Sequence, residues 1–152
     1  MPLVSRAHTL PAVPQRLWTF LADPGCLPRW WPGVTRVEEV SGHGWTTVLA
    51  APRGRRLRAD YTLVSCDHPS RLRWRQEIEE SPFERIMSSA VTTIDLEPAS
   101  EGSTEVRITA EIRLRGLSRL GGLQMGLATR RRLDTALASL AEVVDGWRES
   151  DR

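Results

Sequence analysis

No lysine and no asparagine occur in this chain, and all 21 of its basic residues are arginine. That bias points to a GC-rich, bacterial genome and carries no chemistry. Against 19 acidic residues the net charge is only +2, too little to imply a nucleic-acid partner or an anionic membrane surface. The runs RGRRLR at 53–58 and Arg130-Arg131-Arg132 are read as a solvated loop and a solvated helix face. Two cysteines, Cys26 and Cys66, make no disulfide framework in a chain of this length, and neither has metal-ligand spacing around it. No apolar run approaches the roughly 18 residues of a membrane span, and no N-terminal stretch resembles a signal peptide. A cytoplasmic location with reduced thiols is therefore expected, without an integral membrane segment.

Catalytic constellations are equally scarce. The three histidines are His8, His43 and His68, and no Ser/His/Asp spacing connects them. His43 lies in a Gly-flanked turn and His68 in an Asp-His-Pro turn, so both read as exposed; the side that His8 faces depends on strand register. Glu77, Glu79 and Glu80 lie in an arginine-rich polar face and read as solvated. Gly121-Gly122 precede a helix but follow no phosphate-loop pattern. Neither a metal nor a cofactor is expected. There is no internal repeat, low-complexity tract or linker, so residues 1–152 are read as a single domain.

Residues 14–32 (PQRLWTFLADPGCLPRWWP) are the most informative segment present. Leu17, Phe20 and Leu21 share one helical face, and Pro14 suits a helix start. Asp23-Pro24-Gly25 breaks the helix, and a second short turn ends in Trp30-Trp31-Pro32. From there the hydrophobic period falls to two. Strands are expected at 3–11, 34–40, 45–51, 57–66, 72–78, 83–98 and 104–114, separated by turn residues such as Ser41-Gly42-His43-Gly44 and Asp67-His68-Pro69-Ser70. In 72–78, Leu72, Trp74, Gln76 and Ile78 share one face while arginine and glutamate take the other, as in a one-sided antiparallel strand. Leu133, Leu137, Leu140, Val144 and Trp147 then form a long apolar stripe, so a helix is expected over 130–148. Residues 117–127, rich in glycine, are left open as a loop, a gate or a loosened start of that helix. Antiparallel strands with one apolar face need a cover. The expected fold is α+β: about seven curved antiparallel strands around one long C-terminal helix, with two short helices after the first strand.

This order of elements resembles the helix-grip fold of the START-like (SRPBCC) superfamily, which includes polyketide cyclase/dehydrase and lipid-transport proteins. The residues that carry the resemblance are PQRLW at 14–18, LADP at 21–24, WWPGV at 30–34, DHPSRL at 67–72, DLEPASEGSTEV at 95–106 and LASL at 137–140. It implies a deep, mostly apolar cavity between sheet and C-terminal helix, with the short helices and a hairpin at its mouth. On that template Trp30 and Trp31 sit near the cavity's edge, one buried and one at the opening. Aromatase/cyclase members follow their Trp-Pro with a phenylalanine and then a tyrosine. Here Pro32 is followed by Gly33-Val34-Thr35-Arg36-Val37, which departs from that pattern.

The sequence adds its own indication of unfilled space. Ser88, Ala90 and Thr92 share a face of 83–98 with Ile86, Ile94 and Leu96. Ala110 lies on the inward face of the next strand, and Ala59 on that of 57–66. Small residues grouped on a concave face leave volume that cores normally fill. Pockets are mostly apolar with a few placed polar groups, and Tyr61, Gln76, Ser88 and Thr92 are the candidates. Trp30, Trp31, Trp45 and Trp74 are candidate walls, with Leu123, Met125, Leu133 and Leu137 closing the space from the C-terminal segment. The bland alternative has Leu123, Met125 and Leu127 plugging it as core.

The leading expectation is a carrier or sensor that binds a small hydrophobic or aromatic molecule, lipid-like or polyketide-like, inside the cavity. A second is a cyclase/dehydratase-type enzyme acting on a polyketide-like substrate there. A third is an interaction module docking a protein at the apolar mouth. Catalysis needs a titratable group inside, and the inward face offers only Tyr61 and hydroxyls, which favours binding. Monomer and homodimer both remain open.

Overall fold

The computed structural model describes residues 3–116 and 119–151, without the side chains of Pro52, Arg119 and Leu120. The chain runs through β1 (Leu3–Leu10), α1 (Pro14–Leu21), a 3-10 turn (Pro24–Cys26), α2 (Leu27–Trp30), β2 (Val34–Glu38) and β3 (Gly44–Ala50). A second 3-10 turn (Pro52–Gly54) leads to β4 (Arg56–Asp67), β5 (Arg71–Gln76), β6 (Met87–Pro98), β7 (Thr104–Leu114) and α3 (Arg119–Ser150). The strands form one antiparallel sheet in the order β1-β7-β6-β5-β4-β3-β2. α3 packs on β1, β7 and α2, which is the expected helix-grip arrangement.

The apolar stripe of α3 supplies the cover. Leu133, Ala136, Leu137, Leu140 and Val144 are buried and join one core with Val4, Leu10, Val106 and Ile108 of the sheet. Leu17, Trp18, Phe20 and Leu21 of α1 enter the same core. Two polar contacts set the path of the chain between these layers. The fully buried Thr104 hydroxyl donates to the Ala12 carbonyl at 2.7 Å and ties the β1–α1 link to β7. The Asp23 carboxylate accepts from the Gly25 amide at 2.9 Å, which caps the 3-10 turn after α1 and turns the chain into α2.

The strands expected at 34–40 and 72–78 end two residues early, at Glu38 and Gln76, and two further boundaries move more. The strand expected from residue 83 starts at Met87, because residues 78–86 form successive turns in which the Ser81, Ile86 and Met87 amides donate to the carbonyls of Ile78 and Phe83. A bulge between Met87 and Ser89 then inserts one residue in β6 against β7. An extra residue reverses the side of everything before it. Met87 is therefore buried, whereas Ile86 and Ser88 are exposed. The final helix begins at Arg119, well before residue 130. Gly122 and Gly126 lie within it, and a Cβ at either would meet nothing within 4 Å. Each glycine forgoes about 1 kcal/mol of helix propensity. An already nucleated helix extends at little cost, so the stretch is still helical. Residues 117 and 118 lie outside the described residues.

Candidate functional site

The inward face of the sheet is built in cross-strand rows. Trp45 of β3 lies opposite Tyr61 of β4, which lies opposite Gln76 of β5. In the next row Leu63 pairs with Trp74, Trp74 with Thr92, and Thr92 with Ala110. Large rings on β3–β5 thus give way to small residues on β6 and β7. A cavity of about 70 Å³ lies over these rows. Thr47, Ala90, Thr92 and Ala110 complete its floor, Leu27, Trp31 and Val34 form one side, and Thr129, Arg132 and Leu133 of α3 lie above.

Its aromatic wall is continuous. The rings of Trp30 and Trp31 meet edge to face at 5.2 Å, Trp31 meets Trp74 at 5.9 Å, and Trp74 meets Trp45 at 5.6 Å. Trp45 then stacks on Tyr61 at 5.8 Å, with an angle of 14° between the rings. Edge-to-face and offset-stacked contacts both satisfy the ring quadrupoles, so the array resists collapse. Gly44 permits the last contact. A Cβ there would lie 2.1 Å from the Tyr61 carbonyl oxygen, so any larger residue would push β3 away from β4.

A second cavity, of about 180 Å³, lies on the other side of Leu27, Trp45 and Trp74, which line both. It is bounded by Leu21, Ala22 and Pro24, by the β2–β3 turn at Ser41, Gly42 and Gly44, and by Leu63 and Leu72. The side chains of Leu27, Trp45 and Trp74 thus border both spaces.

The sequence matches the family described as polyketide cyclase / dehydrase and lipid transport over residues 1–145. The chain belongs to that family. No curated relative matches it. Among solved structures it is similar to a START superfamily protein from Mycobacterium smegmatis, with 10% identity, a TM-score of 0.76, and 95% of this chain and 98% of that one covered. It is similar also to XoxI from Bacillus cereus, with 15% identity, a TM-score of 0.75 and coverage of 95% and 96%. A Thermobifida fusca protein gives 21% identity, a TM-score of 0.73 and coverage of 95% and 93%. At these identities the likeness is one of fold.

For this member of the polyketide cyclase / dehydrase and lipid transport family, most of the candidate residues converge. Trp31, Trp45, Tyr61, Trp74, Gln76, Ala90, Thr92, Ala110 and Leu133 all line the cavity. Trp30 instead is buried behind Trp31, and Leu137 lies in the core one turn beyond Leu133. Ser88 is turned outward by the β6 bulge. Leu123 and Leu127 neither plug nor line the space, because their side of α3 faces solvent, and Met125 is half-buried outside the cavity lining.

The sequence reading missed Leu27, Val34, Thr47, Thr129 and Arg132. Thr47 shares the parity of Trp45, and Thr129 lies four residues before Leu133 on one helical face, so both carried a legible signal. Arg132 is exposed, as the run of three arginines suggests, and borders the cavity as well.

The remaining polar candidates face away. His8, His43 and His68 are exposed, and His68 packs edge-on against Trp18 at 5.4 Å. Glu77 is exposed and accepts from the Thr62 hydroxyl at 2.6 Å, the largest cause lowering its pKa. Cys26 and Cys66 are free thiols; burial and the neighbouring Asp23 push Cys26 up, which makes it a poor nucleophile. Among the described residues no three His, Cys, Asp or Glu side chains gather as an ion site, and no helix is long and apolar enough to cross a membrane.

Burial raises the Tyr61 phenol above its ordinary value of 10.0, against the Arg132 charge and the Thr47 hydroxyl, which both pull it down. The raised value means that the folded state holds the proton longer. The resulting stability is fully present below the unfolded value and is lost as pH rises through the folded one. Tyr61 is the only tyrosine, so an alkaline titration followed by near-ultraviolet absorbance reports it alone. We expect a midpoint above 10 in the folded protein; a midpoint at or below 10 would mean that Arg132 outweighs burial.

Proposed function

We propose that the protein binds a small, flat, apolar molecule in the cavity between sheet and α3, as a carrier or sensor. The continuous ring wall from Trp31 through Trp74 and Trp45 to Tyr61 is the observation that carries this reading. Such rings give a ligand large contact area at low cost in side-chain entropy. Family membership supports it, since the family description includes lipid transport. The lining supports binding over catalysis: among the described residues it contains no histidine or carboxylate, and its titratable side chains are Tyr61 and Arg132. General acid–base work at neutral pH needs a group that titrates nearer 7.

The volume sets a condition. Pockets for drug-sized ligands measure roughly 300–1,000 Å³, whereas this cavity has about 70 Å³. A lipid-sized occupant must therefore displace the Leu27–Trp45–Trp74 partition and take the second cavity as well. Titration with the apolar dye N-phenyl-1-naphthylamine tests the reading. We expect saturable quenching of tryptophan fluorescence, weakened by Trp31→Ala, which removes the half-buried ring of the wall. Quenching that stays linear with dye would remove the carrier and sensor reading.

A further inference from the structure

We infer that the ligand carries an anionic oxygen, a carboxylate on a flat apolar body, received by Arg132 and the Gln76 amide. This rests on the binding reading above and specifies the ligand's chemistry. The first support is an inventory of hydrogen-bond donors. The Thr47 hydroxyl donates to the Ala59 carbonyl at 3.3 Å and that of Thr129 to the Met125 carbonyl at 2.7 Å, while the Tyr61 and Thr92 hydroxyls, which also line the cavity, add neutral donors. The Gln76 amide nitrogen and the Trp45 indole nitrogen are buried with no partner. Their side chains flank Tyr61 in a single row, at 8% and 7% exposure. A buried donor without an acceptor is costly, so such groups in a cavity wall call for an acceptor from outside the protein. The last torsion of Gln76 is soft, so its NH2 can turn toward an occupant.

The second support is charge. Arg132 lines the cavity from α3. Among the described residues it has no carboxylate partner; the nearby Asp134 pairs with Arg6. Among the described residues no Asp or Glu lines the space. Among those residues the fixed charge is the Arg132 guanidinium, whose fork matches a carboxylate. The same field acts on the Tyr61 phenol, where it opposes burial.

The test compares 2-naphthoate with 2-naphthalenemethanol by titration calorimetry at neutral pH. The rings are identical, and an apolar cavity without a cation would prefer the alcohol, because burying an unpaired carboxylate is costly. We expect naphthoate to bind at least about tenfold more tightly, the usual scale of a charge-assisted hydrogen bond. Arg132→Gln should abolish that preference by weakening naphthoate far more than the alcohol; the exposed position makes misfolding of this variant no concern. Equal affinities, or a preference that survives Arg132→Gln, would overturn the inference. Binding of N-phenyl-1-naphthylamine without binding of naphthoate would overturn it and leave the cavity reading standing. If none of the three compounds binds, both readings fall.

Discussion

Trp74→Ala is expected to cost about 3–5 kcal/mol of stability and to make the protein a better receptor for neutral aromatic molecules. Trp74 is 4% exposed, touches the rings of Trp31 and Trp45, and stands between two spaces that already exist. Large-to-small substitutions are cheapest where neighbours relax into the void. Here the neighbours are other tryptophans held edge to face, and beyond them lies open volume, so little relaxation is available. The cost should fall at the upper end of that range, yet below the total of roughly 5–15 kcal/mol typical of a domain. The void would join the cavities of about 70 and 180 Å³. A ligand that binds only the folded state stabilises it in proportion to the logarithm of one plus the ratio of its concentration to its dissociation constant. Urea unfolding with and without N-phenyl-1-naphthylamine should therefore show a larger midpoint gain for Trp74→Ala than for the unmodified protein. An equal or smaller gain would mean that the partition is not what limits occupancy.

The sequence exposes the faces of this sheet more readily than its registers. Alternation in 72–78 and 104–114 put Trp74, Gln76 and Ala110 inward, and they are inward. Parity holds only while the ladder is regular, however. The bulge at Ser88 arises from the pairing of β6 with β7, and nothing local to residues 83–90 announces it. Ser88 faces outward for that reason, and Ile86 lies in the turns before the strand. Which inward residues meet across strands depends on loop lengths as well, so the Trp45–Tyr61–Gln76 row was not visible as a row. The end of α3 was legible from its stripe, whereas its start was obscured by glycines that a nucleated helix tolerates. Cavity volume is the least legible quantity. Small residues on β6 and β7 signalled unfilled space, but the orientations of Trp31, Trp45 and Trp74 decide how much is left.

Gln76→Met should raise the stability of the ligand-free protein, by up to about 1–3 kcal/mol, while weakening its hold on naphthoate. Most core substitutions destabilise, so the sign is the informative part. Methionine matches glutamine in length and lack of branching, and its flexible thioether can settle among the rings. What it removes is an amide whose nitrogen is buried without a partner. Removing the penalty of an unmade hydrogen bond stabilises, provided the shape is kept. Trp45, Tyr61 and Trp74 would keep the same packing, so loss of naphthoate binding could not be assigned to a collapsed wall. Equilibrium urea unfolding gives the first quantity and calorimetry the second. A loss of stability would show that the amide is already satisfied in solution, by a trapped water for instance, and would remove it from the set of groups available to a ligand. A gain in stability with naphthoate binding intact would leave Arg132 alone to receive the carboxylate. A gain accompanied by weaker binding would mean that the protein gives up stability at this position to keep a donor free for its ligand, as functional sites commonly do.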